Sequence, residues 1–181
     1  MEKEFINDVI DKILNSPIVE QAEIPDIDLY MDQVTTLVED KLGTTKRNAQ
    51  DKLLTKTMVN NYTKAGLIPA PVKKKYSKEH LLRLIMIYHL KSVLSINDIN
   101  TTFLNINNDK EIYDKFVNIQ NCELKQLAKS REEVINTLIK NAKDDKEACV
   151  LSVLFLGLAA NYYKEMAEEI IDKYLTEADN K

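Results

Sequence analysis

Turn-forming residues are scarce in this sequence: three glycines (Gly43, Gly66, Gly157) and four prolines in 181 residues, with no tryptophan. A multi-stranded sandwich or barrel needs turn chemistry after every short strand, so this scarcity argues for helices. Three scattered glycines also spell neither G-x-x-x-x-G-K-[ST] nor G-x-G-x-x-G, which removes P-loop NTPases and Rossmann dinucleotide enzymes. Two cysteines, Cys122 and Cys149, without Cys-x-x-Cys spacing, make no disulfide framework. The N-terminus MEKEFINDVIDKIL lacks the basic start and apolar core of a signal peptide. The longest apolar run, residues 148–160, is broken by Ser152 and falls short of the roughly 20 residues of a membrane span. A cytoplasmic protein with no membrane partner is the expectation.

Catalytic constellations are equally sparse. The two histidines, His80 and His89, are nine residues apart in one expected helix and so lie on opposite faces, unable to share a metal. No H-E-x-x-H is present, and no serine has a nucleophile-elbow setting. We therefore expect neither an enzyme nor a metal or other cofactor.

The charges are abundant and unevenly placed. Net charge is -4, from 25 basic and 29 acidic residues. Residues 1–51 carry 5 basic and 12 acidic residues, residues 52–92 carry 9 and 1, and residues 93–181 carry 11 and 16. One block of about forty residues is thus strongly basic, with Glu79 its only carboxylate, between two acidic flanks.

Apolar periodicity predicts a first helix with Phe5, Val9, Ile10, Ile13 and Leu14 on one face, ending before Pro17. A second carries Leu29, Val34, Leu37, Val38 and Leu42 and ends at Gly43; the polar TTKRNAQDK then reads as a mobile insertion. A third short helix, capped by Thr55, buries Leu54, Met58, Tyr62 and Ala65 and exposes Lys56, Thr57, Asn60, Asn61 and Lys64. The extended LIPAPVKKKY reads as a small hairpin or arm. A fourth helix, capped by Ser77, is apolar nearly all round, and SIND opens a fifth with Ile99, Phe103 and Leu104. The last third continues in helical patterns with an interruption near Asn121, a turn at KNAKDDK and a long helix from Glu147 to Leu175. Its apolar surface calls for a bundle, a second subunit, or both.

The basic block offers nucleic-acid chemistry. Amides at Asn60 and Asn61 suit adenine edges, and Lys56, Lys64, Lys73, Lys74 and Lys75 suit phosphates, with Thr55 and Thr57 as donors at a helix N-terminus. The bland alternative is a solvated lysine-rich surface, which the near absence of carboxylates disfavours.

The run LTKTMVNNYTKAGLIPAPVKKKYSKEHLLRLIMIYHLKSVLSINDI resembles the DNA-binding domain of MerR-type regulators. The matching residues are Tyr62, Gly66, Leu67, Ile68 and Pro69, then Lys74, Tyr76 and Ser77, then Leu84, Ile87 and Leu90, and finally Ser95, Ile96 and Ile99. Asn60 and Asn61 stand where those regulators carry Arg-Tyr. The stretches DIDLYMDQV, LTKTMVNNY and KKKYS also make the chain similar to an uncharacterised bacterial family catalogued as domain of unknown function 1836.

Together these readings predict a mainly helical, all-α protein in three parts. These are an N-terminal helix and linker (1–24), a MerR-like winged helix-turn-helix with a small basic wing (25–105), and a C-terminal helical bundle that forms a homodimer (106–181). The MerR resemblance implies transcription regulation: the 55–64 helix in the major groove of double-stranded DNA, the Lys73–Lys75 wing on phosphates. No small-molecule effector can be read from the residues. A non-catalytic helical protein-interaction module that no longer binds DNA is the competing expectation.

Overall fold

The computed structural model describes residues 2–140 and 142–176, with side chains from Ile6 onward. It is mainly helical, as expected: eight α-helices and one two-stranded sheet are found among the described residues. The chain forms two compact units, one of residues 17–117 and 168–181, the other of residues 1–16 and 118–167.

The larger unit opens with β1 (Leu29–Tyr30), which runs into α2 (Met31–Leu42). Leu29 belongs to this strand, not to the helix the periodicity assigned it to, because its backbone pairs antiparallel with β2 (Lys75–Tyr76) in the register Leu29↔Tyr76 and Tyr30↔Lys75. Val34, Val38 and Leu42 form the buried stripe of α2. Gly43 has ordinary right-handed geometry (φ -58), so no left-handed cap ends the helix there. The chain tightens instead into a 3-10 turn, Gly43–Thr45, whose Thr45 hydroxyl donates to the Leu42 carbonyl at 2.6 Å. The insertion that follows folds back at Asn48–Asp51, where the Asp51 carboxylate accepts from the Asn48 amide at 3.0 Å.

α3 (Lys56–Lys64) is capped by Thr55, whose hydroxyl oxygen accepts from Met58 N at 3.1 Å. Val59 and Tyr62 fix its buried side, Leu54 and Met58 are half-buried, and Ala65, assigned to the buried stripe by spacing, is exposed. The helix has already ended there, and Gly66 reverses the chain at φ +80. Leu67 and Ile68 then enter the core, and Leu67 N donates to the Tyr62 carbonyl at 3.0 Å.

α4 (Lys78–Leu90) is the central helix, with seven consecutive or near-consecutive buried positions from His80 to Ile87. Such all-round burial is what an apolar-all-round helix requires. α5 (Ile96–Leu104) begins with the expected capping box, Ser95 with Asp98, and buries Ile99 and Phe103. α6 (Asp109–Lys129) runs without interruption through Asn121, since neither glycine nor proline intervenes; the break comes at Ser130. Its Tyr113 hydroxyl, fully buried, donates to the Val19 carbonyl at 2.8 Å.

The smaller unit contains α1 (Glu2–Leu14), the later part of α6, α7 (Arg131–Ile139) and most of α8 (Asp145–Ile170). Its core cluster is Ile6, Ile10, Ile135 and Leu138. α1 therefore faces inward through Ile10 and through Ile6, which the spacing had left off the apolar face, and Val9 and Ile13, which it had grouped with Ile10, are exposed. Arg131 holds α1 to α7 by donating to both Asp11 carboxylate oxygens, at 2.7 and 2.9 Å, and to the Asn7 side-chain oxygen at 2.8 Å. Within α8 only Ala148 and Ser152 are buried. A π-helical turn, Ile171–Leu175, continues it, and the expected long helix is present almost to its predicted end.

Candidate nucleic-acid interface

The outward side of α3 is the one the spacing assigned: Lys56, Thr57, Asn60, Asn61 and Lys64 are all exposed. Among the described residues, neither Asn60 nor Asn61 uses its side-chain amide in a hydrogen bond, so both donors and both acceptors of each remain available. Thr55 differs: one lone pair of its hydroxyl oxygen is engaged as the helix cap, leaving its proton to donate and one lone pair to accept.

The N-terminus of α3 departs from its neighbours. α2, α4, α5, α6, α7 and α8 each carry Asp or Glu in the first turn, where a carboxylate stabilises the positive end of the helix dipole. α3 has none, and its first residue is Lys56. That arrangement forgoes a few tenths of a kcal/mol of helix stability, and it leaves free backbone N–H groups and an ammonium facing outward where an anion would bind.

The basic arm is a tight hairpin. Lys75 N donates to the Val72 carbonyl at 2.9 Å, and the two central residues of that turn, Lys73 and Lys74, have φ of 50 and 64. Positive φ at both central positions is the type I′ geometry, which favours Asn-Gly because a Cβ in the left-handed region costs about 1 kcal/mol or more per residue. Two exposed lysines occupy it instead. Behind the tip, β2 is anchored twice: by its pairing with β1, and by Tyr76, buried edge-on against His80 at 5.6 Å. The Lys75 ammonium lies 5.1 Å from the centre of the Tyr30 ring. Tyr30, half exposed on β1, is a residue that sequence reasoning missed; no periodicity shows that the segment before α2 pairs with the arm.

Several other cations of the same unit are held in ion pairs, whereas Arg47, Lys52 and Lys91, like the five lysines of α3 and the hairpin, are in none among the described residues. Lys41 pairs with Glu23 at 2.6 Å, Lys78 with Asp26 at 2.8 Å, Arg83 with Asp109 at 2.8 Å and Lys110 with Glu79 at 2.9 Å, while Lys46 is bonded to Glu39. Glu79, the single carboxylate of the basic block, is thus turned to Lys110, and with Ser77 this contact holds its carboxyl down at about 2. Among the described residues, Lys56, Lys64, Lys73, Lys74 and Lys75 meet no carboxylate.

The histidines play structural parts. Ser77 N donates to His80 Nδ1 at 3.1 Å, so His80 closes a capping box at the start of α4 in the place a Glu or Gln often takes. Its Nε2 is buried without a hydrogen bond, and burial pushes the pKa down despite the nearby Pro69 and Ala70 carbonyls. Burial also lowers His89, whose ring lies 5.6 Å from Phe116. Among the described residues no cluster of three His, Cys, Asp or Glu is placed to hold a metal ion, and no helix is long and apolar enough to cross a membrane.

No curated protein and no solved structure matches the chain. One protein family does, over residues 19–122, a stretch that holds α2, the insertion, α3, the hairpin, α4, α5 and the first part of α6. That is more than half of the 181 residues, and the chain belongs to the family described as Domain of unknown function (DUF1836).

Proposed function

We propose that this protein binds double-stranded DNA as a MerR-like winged helix-turn-helix transcription regulator. In this reading α2 and α3 form the helix-turn-helix, with α3 entering the major groove and the Val72–Lys75 hairpin acting as the wing on flanking phosphates. Asn60 and Asn61 read base edges. Lys56 and Lys64 on the helix, with Lys73, Lys74 and Lys75 on the wing, hold the backbone. Thr55 and Thr57 add hydroxyl donors at the α3 N-terminus.

The observation that supports it most is that these five lysines, gathered on one helix face and one turn, meet no carboxylate among the described residues, while Lys41, Lys78, Arg83 and Lys110 do. Unpaired like charges repel one another and bring no benefit to folding, so their concentration on one helix face and one strained turn argues for an anionic partner.

The test is fluorescence anisotropy with a labelled duplex of about 30 base pairs at low salt, long enough for two half-sites. Five phosphate contacts per subunit give a log-log salt slope of roughly -4 for each half-site. Replacing Lys73, Lys74 and Lys75 by Glu should abolish binding with circular dichroism unchanged. Tight capture of an acidic protein with no affinity for DNA at low salt would favour the interaction-module alternative.

A further inference from the structure

The two-residue strands β1 and β2 sort their side chains by alternation. Leu29 and Tyr76 stand opposite one another and are both buried. Their neighbours Tyr30 and Lys75 form the next cross-strand pair, on the other side of the ribbon, with Tyr30 53% exposed and the Lys75 ammonium 5.1 Å from its ring centre. Tyr30 is also fixed through its backbone, whose N–H donates to Gln33 Oε1 at 2.9 Å where α2 begins. One residue thus joins the start of α2 to the basic hairpin.

Three cations lie over aromatic rings among the described residues, and they differ in what else they hold. Arg83, over Phe103, donates to Asp109 and to the Leu67 carbonyl. Lys91, over Tyr88, donates to the Leu53 carbonyl at 2.8 Å. Both are spent on internal acceptors. Lys75 has no such acceptor among the described residues: the Tyr30 ring locates its charge without neutralising it. A ring face attracts an ammonium through its quadrupole and leaves N–H groups free for an anion. A carboxylate in the same place would hold Lys75 as well, and would cancel the charge that a phosphate needs.

We propose that Tyr30 is a positioning residue of the DNA interface, its ring holding the Lys75 ammonium in place for a phosphate. Ordering a long, rotamer-rich side chain on binding is unfavourable, and a lysine already held against a ring loses less freedom when it meets its phosphate. The inference rests on the DNA reading above. It adds a residue without charge, so the expected salt slope stays as it is.

The test is a double-mutant cycle in the anisotropy assay, on the same labelled duplex of about 30 base pairs. Tyr30→Leu should weaken binding about five-fold, with the salt slope unchanged because no charge is removed. Lys75→Gln should reduce the magnitude of the slope by about 0.9, and in that background Tyr30→Leu should cost no further affinity. Tyr30→Phe keeps the ring and should bind like wild type. Tyr30→Thr, which suits a strand, should repeat the Leu result, and thermal melts show that each variant is folded. An equal loss from Tyr30→Leu with and without Lys75, no loss at all, or a Tyr30→Phe protein as weak as Tyr30→Leu overturns the assignment. Wild-type protein without affinity for DNA at low salt overturns the DNA reading and this one with it; a wild type that binds while the cycle fails overturns this one alone.

Discussion

Lys73 and Lys74 are where stability and the proposed function pull apart. Each holds a left-handed backbone conformation that Asn or Gly adopts with less strain. Lys73→Asn with Lys74→Gly should raise unfolding stability by about 1 kcal/mol, measured by urea titration. The same pair should lower DNA affinity and reduce the magnitude of the salt slope by about 2. A structural role alone would show the first change without the second. Arg83 makes a contrasting case. Its guanidinium donates to Asp109 at 2.8 Å and to the Leu67 carbonyl at 3.2 Å, with both charged side chains about 15% exposed. Arg83→Ala strands two largely buried acceptors and should cost about 3 kcal/mol, with DNA affinity at saturating folded protein unchanged. His80 links the fold to pH. Its folded pKa lies below the unfolded 6.5, so the unfolded chain binds the extra proton. Stability is full above about 6.5 and falls as pH drops through that value toward the lowered folded pKa. His80→Gln keeps an acceptor for Ser77 N and should flatten part of this slope in melts between pH 7 and pH 5, with His89 supplying the remainder.

Legibility at the level of elements followed from how local the signal was. The exposed face of α3, the Thr55 cap and the Ser95–Asp98 capping box are set by residues within one or two turns, and spacing alone reads them. The pairing of β1 with β2 joins residues some forty-five positions apart, and a two-residue strand has no periodicity to announce it. The same limit explains α1. With Ile6, Val9, Ile10 and Ile13 all apolar, two overlapping faces are equally hydrophobic, and packing against Ile135 and Leu138 selects Ile6 and Ile10. Gly66 was legible as a helix end, and its φ of +80 makes that reading testable. A Cβ there would meet only Asn100 Oδ1 at 3.6 Å, so the cost of Gly66→Ala is conformational, about 1 kcal/mol, and thermal melts should show it. Gly43, equally placed after a helix, has right-handed geometry, so Gly43→Ala should be tolerated far better.

For the molecule as a whole, the net charge of -4 conceals a polarity that the structure sharpens. Carboxylates of the flanking segments, Glu23, Asp26, Glu39 and Asp109, neutralise Lys41, Lys78, Lys46 and Arg83. They leave the α3 face and the hairpin tip, together with Arg47, Lys52 and Lys91, without an ion pair among the described residues of their unit. Charge counting located the block; only the fold shows which of its cations are spent on internal pairs. Titrating DNA binding against salt tests this account most directly. With wild type and the Lys73, Lys74 and Lys75 to Glu variant compared on one duplex from 50 to 200 mM salt, we predict a slope of roughly -4 per half-site for the wild type and no measurable binding for the variant. Wild-type protein that ignores DNA at low salt, or a variant that binds with the same slope, would contradict it.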